Sequence, residues 1–168
     1  MWTRYAELGY RICRFGINTS WPDERARRGS DVNIKDLYSI IVTDKRVECR
    51  DFYVRWFGFH VVFEASWFVY LAAAGDHAFG LAFMAPDHPS QPPGPDRFDG
   101  KGMFLTVQVE DAAAEFERLA RGGLSMAYSL RDEPWGQRRF ALYDPSGTWV
   151  DVIQQIDPAP GFWDKYLS

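Results

Sequence analysis

Leu37-Tyr-Ser-Ile-Ile-Val-Thr-Asp44 and Phe104-Leu-Thr-Val-Gln-Val-Glu-Asp111 share one design: side chains alternate along each run, and each run ends in aspartate. Such alternation predicts a strand. The closing aspartates stand where a helix N-cap belongs, and apolar residues at helical spacing follow, Val47, Phe52 and Trp56 after the first and Ala114, Phe116 and Leu119 after the second. Glycine ends both segments, at Gly58 and at Gly122-Gly123. Three short strand candidates come next in each half, 59–64, 67–73 and 78–84, then 125–130, 137–143 and 149–155. The order βαβββ therefore occurs twice, 67 residues apart from Asp44 to Asp111. An α+β fold is expected, in which two βαβββ modules form curved mixed sheets around a cleft.

Between the halves lies Pro86-Asp-His-Pro-Ser-Gln-Pro-Pro-Gly-Pro-Asp-Arg-Phe-Asp-Gly-Lys-Gly102, which holds five of the ten prolines and no apolar period, so it reads as a linker. The chain divides into an N-terminal arm (1–33), a domain over 34–156 (module one 34–85, linker 86–102, module two 103–156) and a tail (157–168) expected to carry a short helix. At 168 residues and 46% hydrophobic content there is enough material for one core. No apolar run approaches the ~20 residues of a membrane helix, and no secretory leader is legible, which points to the cytoplasm. Cys13 and Cys49 make no ligand pair and are expected as reduced thiols. A net charge of −4 argues against a nucleic-acid partner. Residues 1–30 nevertheless carry six arginines, and Trp2, Tyr5, Leu8, Tyr10, Ile12, Phe15, Ile17 and Trp21 give the arm too much apolar surface for a solvated tail. It is expected to pack on the domain or on a partner subunit.

Alternation also assigns faces. Tyr38, Ile40 and Val42, with Leu105, Val107 and Val109, are expected under the helices; Leu37, Ser39 and Ile41, with Phe104, Thr106 and Gln108, then face a pocket. In the last strand Val150 and Val152 take the helix side, leaving Trp149, Asp151 and Ile153 on the pocket side. A carboxylate at Asp151 is costly to bury unless paired, either with a cationic or hydrogen-bonding group of a ligand or with Arg138 or Arg139 on the neighbouring strand. Gln108 can serve a ligand or be a satisfied polar residue. His60, His77 and His88 fall at a strand start, in a turn and in the linker, where a solvated or structural role is expected. No nucleophile with a matched base is visible.

Two stretches, Asp51-Phe-Tyr-Val-Arg-Trp-Phe-Gly-Phe59 in the first half and Pro134-Trp-Gly136 with Asp144-Pro-Ser-Gly147-Thr-Trp-Val-Asp-Val152 in the second, make the chain resemble the vicinal oxygen chelate superfamily, that of glyoxalase I, bleomycin-resistance proteins and extradiol dioxygenases. The resemblance spans about 34–156. Enzymes of that superfamily hold a divalent metal on the first and last strands of each module. Those positions fall here on Leu37, or on Tyr38 one residue along, on Phe104, on Asp151, and near Leu81 or Phe83. Of these only Asp151 can ligate, and catalytic metals need about three protein ligands. The resemblance therefore implies no metal and no cofactor. It implies a ligand site at Asp151, Trp135, Phe104, Gln108, Trp149 and Leu37, where Trp135 borders the cleft; Trp67 and Phe83 are assigned to packing. The expected function is metal-independent binding that sequesters a planar or cationic small molecule, in a homodimer. The alternative is a divalent-metal-dependent lyase, isomerase or dioxygenase, and whether the chain is an enzyme stays open.

Overall fold

The structure, a computed structural model, describes residues 37–73, 79–164 and 166. The N-terminal arm, Cys13 and His77 lie outside the described residues. Module one runs β1 (Tyr38–Val42), α1 (Arg46–Phe57), β2 (Phe59–Glu64), β3 (Phe68–Ala73) and β4 (Gly80–Met84). Module two runs β5 (Phe104–Gln108), α2 (Ala112–Arg121), β6 (Tyr128–Glu133), β7 (Gln137–Tyr143) and β8 (Trp149–Gln155). The sheets have the same topology, β1-β4-β3-β2 and β5-β8-β7-β6, with one parallel pair (β1 with β4, β5 with β8) and antiparallel pairs elsewhere. The repeat and the α+β class are thus as the sequence implies, and the Pro-rich linker carries no helix or strand.

The helix ends follow their local chemistry unequally. Asp111 caps α2, its Oδ1 accepting from the backbone N–H groups of Ala113 and Ala114 at 3.0 Å each. Asp44 does not cap α1: the N-cap is Lys45, without a side-chain bond, and the Asp44 carboxylate is paired with Arg97 of the linker. Gly58 closes α1 in the left-handed region at φ 68°, where an L-residue is strained. After α2 it is Gly123 that turns left-handed, at φ 89°, while Gly122 stays right-handed and is small for another reason. A Cβ on Gly122 would lie 2.4 Å from the Trp56 ring, so the absent side chain lets α1 of one module lie against the end of α2 in the other.

Three further sequence assignments shift. In β1 the helix-covered residue is Ile41, 1% exposed and paired with buried Phe83, whereas Tyr38 and Ile40 are each 41% exposed. The faces of β1 are inverted relative to expectation, because all of Tyr38, Ile40, Ile41 and Val42 are apolar and only pairing with β4 fixes the phase. β6 begins at Tyr128 rather than at 125, and its register is set by the polar pair of Asp132 with Arg138 across the strands. The tail's expected short helix is instead a run of turns, with Phe162 N–H bonded to Ala159 O and Asp164 N–H to Gly161 O.

A single core joins the modules. Ile41, Tyr53, Leu71 and Phe83 from module one form one buried cluster with Leu119, Phe140, Val150 and Val152 from module two. Phe52 and Tyr53 of α1 are buried, at 8% and 1% exposure. The turn Asp144-Pro-Ser-Gly147 is bolted to this core by one carboxylate. Asp144 Oδ1 accepts from Ser146 N–H (2.8 Å), Ser146 Oγ (2.6 Å) and Thr148 N–H (2.9 Å), and Oδ2 accepts from the Tyr53 hydroxyl of α1 (3.0 Å). Burial, and then the Asp144 charge, push the neighbouring Cys49 thiol up to about 12, so this buried cysteine stays a thiol. Removing the Tyr53 hydroxyl leaves one carboxylate oxygen short of a donor, and Tyr53→Phe is expected to cost about 2 kcal/mol. Asp144→Ala strands every donor in the turn and should cost roughly 4 kcal/mol. Urea unfolding of the two variants checks the ranking, and equal losses would contradict it.

Candidate functional site

With their helix-covered faces merged into one core, both sheets turn their other faces away from it. On module two the strand registers lay this open face out in rows. Phe104, Trp149 and Tyr143 form the first; Thr106, Asp151, Ala141 and Tyr128 the second; Gln108, Ile153, Arg139 and Arg131 the third; Gln155, Gln137 and Glu133 the fourth. Asp151 is therefore a carboxylate flanked in its row by two short side chains, Thr106 and Ala141. It is nevertheless 3% exposed.

Arg139 reaches back from the next row to cover it. Its Nη1 lies 3.3 Å from Asp151 Oδ2 and its Nε 3.3 Å from Glu133 Oε1. The guanidinium stands 5.2 Å from the centre of the Tyr128 ring and 5.1 Å from that of Trp135, within range of both π-faces. Tyr128 donates its hydroxyl to Glu133 Oε1, and the Trp135 indole N–H donates to Gln137 Oε1 at 2.9 Å. The tail buttresses this corner: Trp163 Nε1 donates to the Trp135 carbonyl at 3.2 Å and Ala159 N–H to that of Pro134 at 2.9 Å, while the Phe162 ring stands 6.3 Å from the Trp135 ring. Gly136 must be glycine, since φ is 104° and a Cβ would meet the Ile156 carbonyl at 2.9 Å.

One atom in this network stands apart. Among the described residues no donor meets the buried Asp151 Oδ1 at hydrogen-bond distance. Burial raises the Asp151 pKa above its ordinary 3.8, against the opposing pull of the Arg139 guanidinium and the Trp149 side chain.

Of the six residues expected at a ligand site, five share this face. Asp151 and Trp135 are linked through Arg139; Trp149 packs edge-on to Tyr143 with ring centres 5.3 Å apart; Phe104, 60% exposed, lies at one end and Gln108 near the other. The face is an open, curved wall. Leu37 does not join it: it precedes β1, is 83% exposed, and falls in phase with the helix-covered Ile41. The equivalent open-face position is Tyr38, partner of Gly80, as Phe104 is partner of Trp149. Of the two internal partners the sequence offered for Asp151, Arg138 and Arg139, it is Arg139 that pairs with it, while Arg138 pairs with Asp132. Glu133 and Tyr128 were not singled out in the sequence, because a β-bulge between Tyr128 and Arg131 breaks the alternation that would have placed them. A separate cleft of about 470 Å³, between the end of α1 and α2, is lined by Arg55, Trp56, Val107 and Arg118 on the helix side and does not touch the open face.

Fit to a divalent metal can be tested on the open-face positions of the first and last strands, which the register fixes as Tyr38, Ala82, Phe104 and Asp151. They offer one carboxylate and one phenol, short of the three donors a catalytic metal needs. Leu81 and Phe83 point into the core instead. Among the described residues no three His, Cys, Asp or Glu side chains are gathered for a metal. The residues present do not fit the superfamily's metal centre.

The pairing of two βαβββ sheets around one core defines a known class of fold. Residues 40–152 match the family model described as the Glyoxalase/Bleomycin resistance protein/Dioxygenase superfamily, and the chain belongs to that superfamily. Among solved structures it is similar to TnmS3, an antibiotic binding protein from Streptomyces sp. CB03234 (22% identity, 74% of this chain and 99% of that one, TM-score 0.58). It is also similar to lactoylglutathione lyase from Agrobacterium tumefaciens (17%, 76% and 96%, TM-score 0.58) and to a bleomycin resistance determinant encoded on the transposon Tn5 (22%, 73% and 98%, TM-score 0.51). No curated protein sequence matches. No helix among the described residues is long and apolar enough to cross a membrane.

The raised Asp151 pKa makes a prediction of defined sign. The folded chain holds this proton more tightly than the unfolded chain does, so the contribution of Asp151 to stability is whole below its ordinary value of 3.8 and is lost as pH rises through the raised native value. Asp151→Asn has no charge to bury and should flatten that part of the stability profile. Thermal unfolding of both proteins between about pH 3 and pH 7 compares them, and parallel profiles would show that Asp151 ionises in the fold as it does in water.

Proposed function

We propose that this protein is a metal-independent binding protein that sequesters a planar or cationic small molecule on the open face of module two. The observation that carries this reading is the donor set. The four positions where related enzymes hold their metal supply a single carboxylate, while the same face offers a curved aromatic wall of Phe104, Trp149, Tyr143, Tyr128 and Trp135 around a polar centre. Aromatic surface with a few placed polar groups is the usual make-up of a small-molecule site. Support comes also from proteins of the same fold, one an antibiotic binding protein and one a bleomycin resistance determinant. Thr106, with Gln108 and Asp151, would orient a ligand stacked on the rings.

The working form is proposed to be a cytoplasmic homodimer. A wall with Phe104 60% and Tyr143 56% exposed does not enclose a ligand, and module one presents its own exposed apolar set, Tyr38, Ile40 and Phe63, to cover such a wall. Sedimentation at micromolar concentration tests the assembly, and a monomer would overturn this part.

The binding reading predicts that a thermal-shift screen of planar organic molecules, cations included, will find compounds that raise the melting midpoint, by about 2.7 kcal/mol of stabilisation at a hundredfold excess over Kd. Trp135→Ala and Asp151→Ala should each abolish that shift while retaining the fold. Metal analysis of protein purified without chelators is the companion experiment. Stoichiometric iron, manganese, nickel or zinc would overturn the reading in favour of a metal-dependent lyase, isomerase or dioxygenase.

A further inference from the structure

Arg139 occupies the centre of the open face as an arginine ligand would. Its guanidinium lies against two aromatic rings and between two carboxylates, the arrangement by which proteins hold planar cations. The fit is poor in two respects. Both ion-pair contacts are 3.3 Å and single-pronged, against about 2.7–2.9 Å for well-made charge-assisted bonds. The stoichiometry also leaves a surplus. Side chains of Glu133 and Asp151 are only 10% and 4% exposed, and they share one guanidinium. Among the described residues no donor reaches the buried Asp151 Oδ1 at hydrogen-bond distance.

Among the described residues the other charges near this face do not restore the balance. Arg131 lies over the Tyr128 ring at 4.1 Å but is exposed and pairs with neither acid. Arg138 and Asp132 point to the opposite face and pair with each other. A buried pair of carboxylates with one half-buried cation favours a further positive charge and disfavours a negative one.

We propose that the site selects a planar organic cation, and that Arg139 is a resident stand-in which the ligand displaces from between Tyr128 and Trp135 to take up Glu133 and the free oxygen of Asp151. The inference rests on the ligand-binding reading above and goes further in naming the ligand's charge and the residue that competes with it. Ala141 and Thr106, the short neighbours of Asp151, leave room for the incoming group once the arginine swings out. The displaced guanidinium moves toward solvent, where its side chain is already 26% exposed.

A resident competitor lowers apparent affinity by the fraction of time it vacates the slot, so its removal should tighten binding by about tenfold or more. The test titrates full-length protein, at low salt, with the planar monocation proflavine and with naphthoate as a planar monoanion. Arg139→Met and Arg139→Gln are compared with the unaltered chain, the glutamine retaining an amide donor for Glu133 should the methionine variant fail to fold. Tighter proflavine binding by either variant, reversed by adding Asp151→Asn, supports displacement. Unchanged or weaker proflavine binding overturns it. Naphthoate binding that is lost with Arg139 would make the arginine an anchor for an acid, which sinks this inference while the binding function stands. No binding of either probe to any folded variant, together with stoichiometric metal, would remove both.

Discussion

The carboxylate of Asp144 is the contact on which the arrangement of the two modules depends. It is 4% exposed and accepts four hydrogen bonds, three from its own turn and one from Tyr53 on the helix of the other module. A buried carboxylate is tolerable only when so served, because each donor replaces water that the charge has lost. The constraint runs in both directions. The turn cannot relax without releasing the helix, and the helix cannot slide without unpairing the turn. Trp56 against Gly122 adds a steric stop beside it, and the Arg118 guanidinium donates to the Trp56 carbonyl at 2.7 Å.

Because that junction fuses the helix-covered sides of both sheets, it commits the opposite sides to solvent or to a partner. The site is a consequence of this. In β8, Val150 and Val152 pay into the common core while Trp149, Asp151 and Ile153 are directed the other way, so one strand both anchors the fold and carries the polar centre. The corner that holds Trp135 is made rigid from outside the repeat. Ile156 at the domain's end bonds the Gly136 carbonyl, and the tail adds a backbone bond to Pro134 and an indole bond to the Trp135 carbonyl, which fixes a large ring that a free turn would let swing.

What was legible in the sequence follows the contrast between the two sides of each strand. In β5 the polar Thr106 and Gln108 mark the open face unmistakably, and Leu105 and Val107 pack on the core as expected. In β1 the run Tyr-Ser-Ile-Ile-Val has apolar residues on both sides, so alternation carries no sign, and Ser39, an exposed residue in phase with buried Ile41, even argues for the wrong one. The two aspartates that close these strands look alike in sequence, yet Asp111 caps a helix and Asp44 pairs with Arg97, a residue 53 positions away that no local rule connects to it. The same limit applies at the site. Asp151 was conspicuous as a charge in an apolar strand. Glu133 and Arg139 sit in a segment rich in charges, Arg131 to Arg139, where pairing across β6 and β7 decides which of them share the open face.

The repeat itself explains why only one of the two open faces is polar. Topological equivalence sets Gly80 against Trp149 and Ala82 against Asp151. In module one the space above Gly80 is filled by Tyr70, whose hydroxyl would lie 2.6 Å and whose ring would lie 2.8 Å from any added Cβ, and which packs on Tyr38 with ring centres 4.8 Å apart. That face is surfaced by its own tyrosines, with Ile40, Val42 and Met84 around them and, among the described strand residues, no carboxylate beside them. In module two the large residue has moved onto the strand as Trp149, and the next position inward is left to a carboxylate between two short neighbours. A charge needs partners where an apolar surface needs only contact. Two copies of one scaffold have thus diverged, one face surfaced by apolar and aromatic side chains and the other holding a buried carboxylate at its centre.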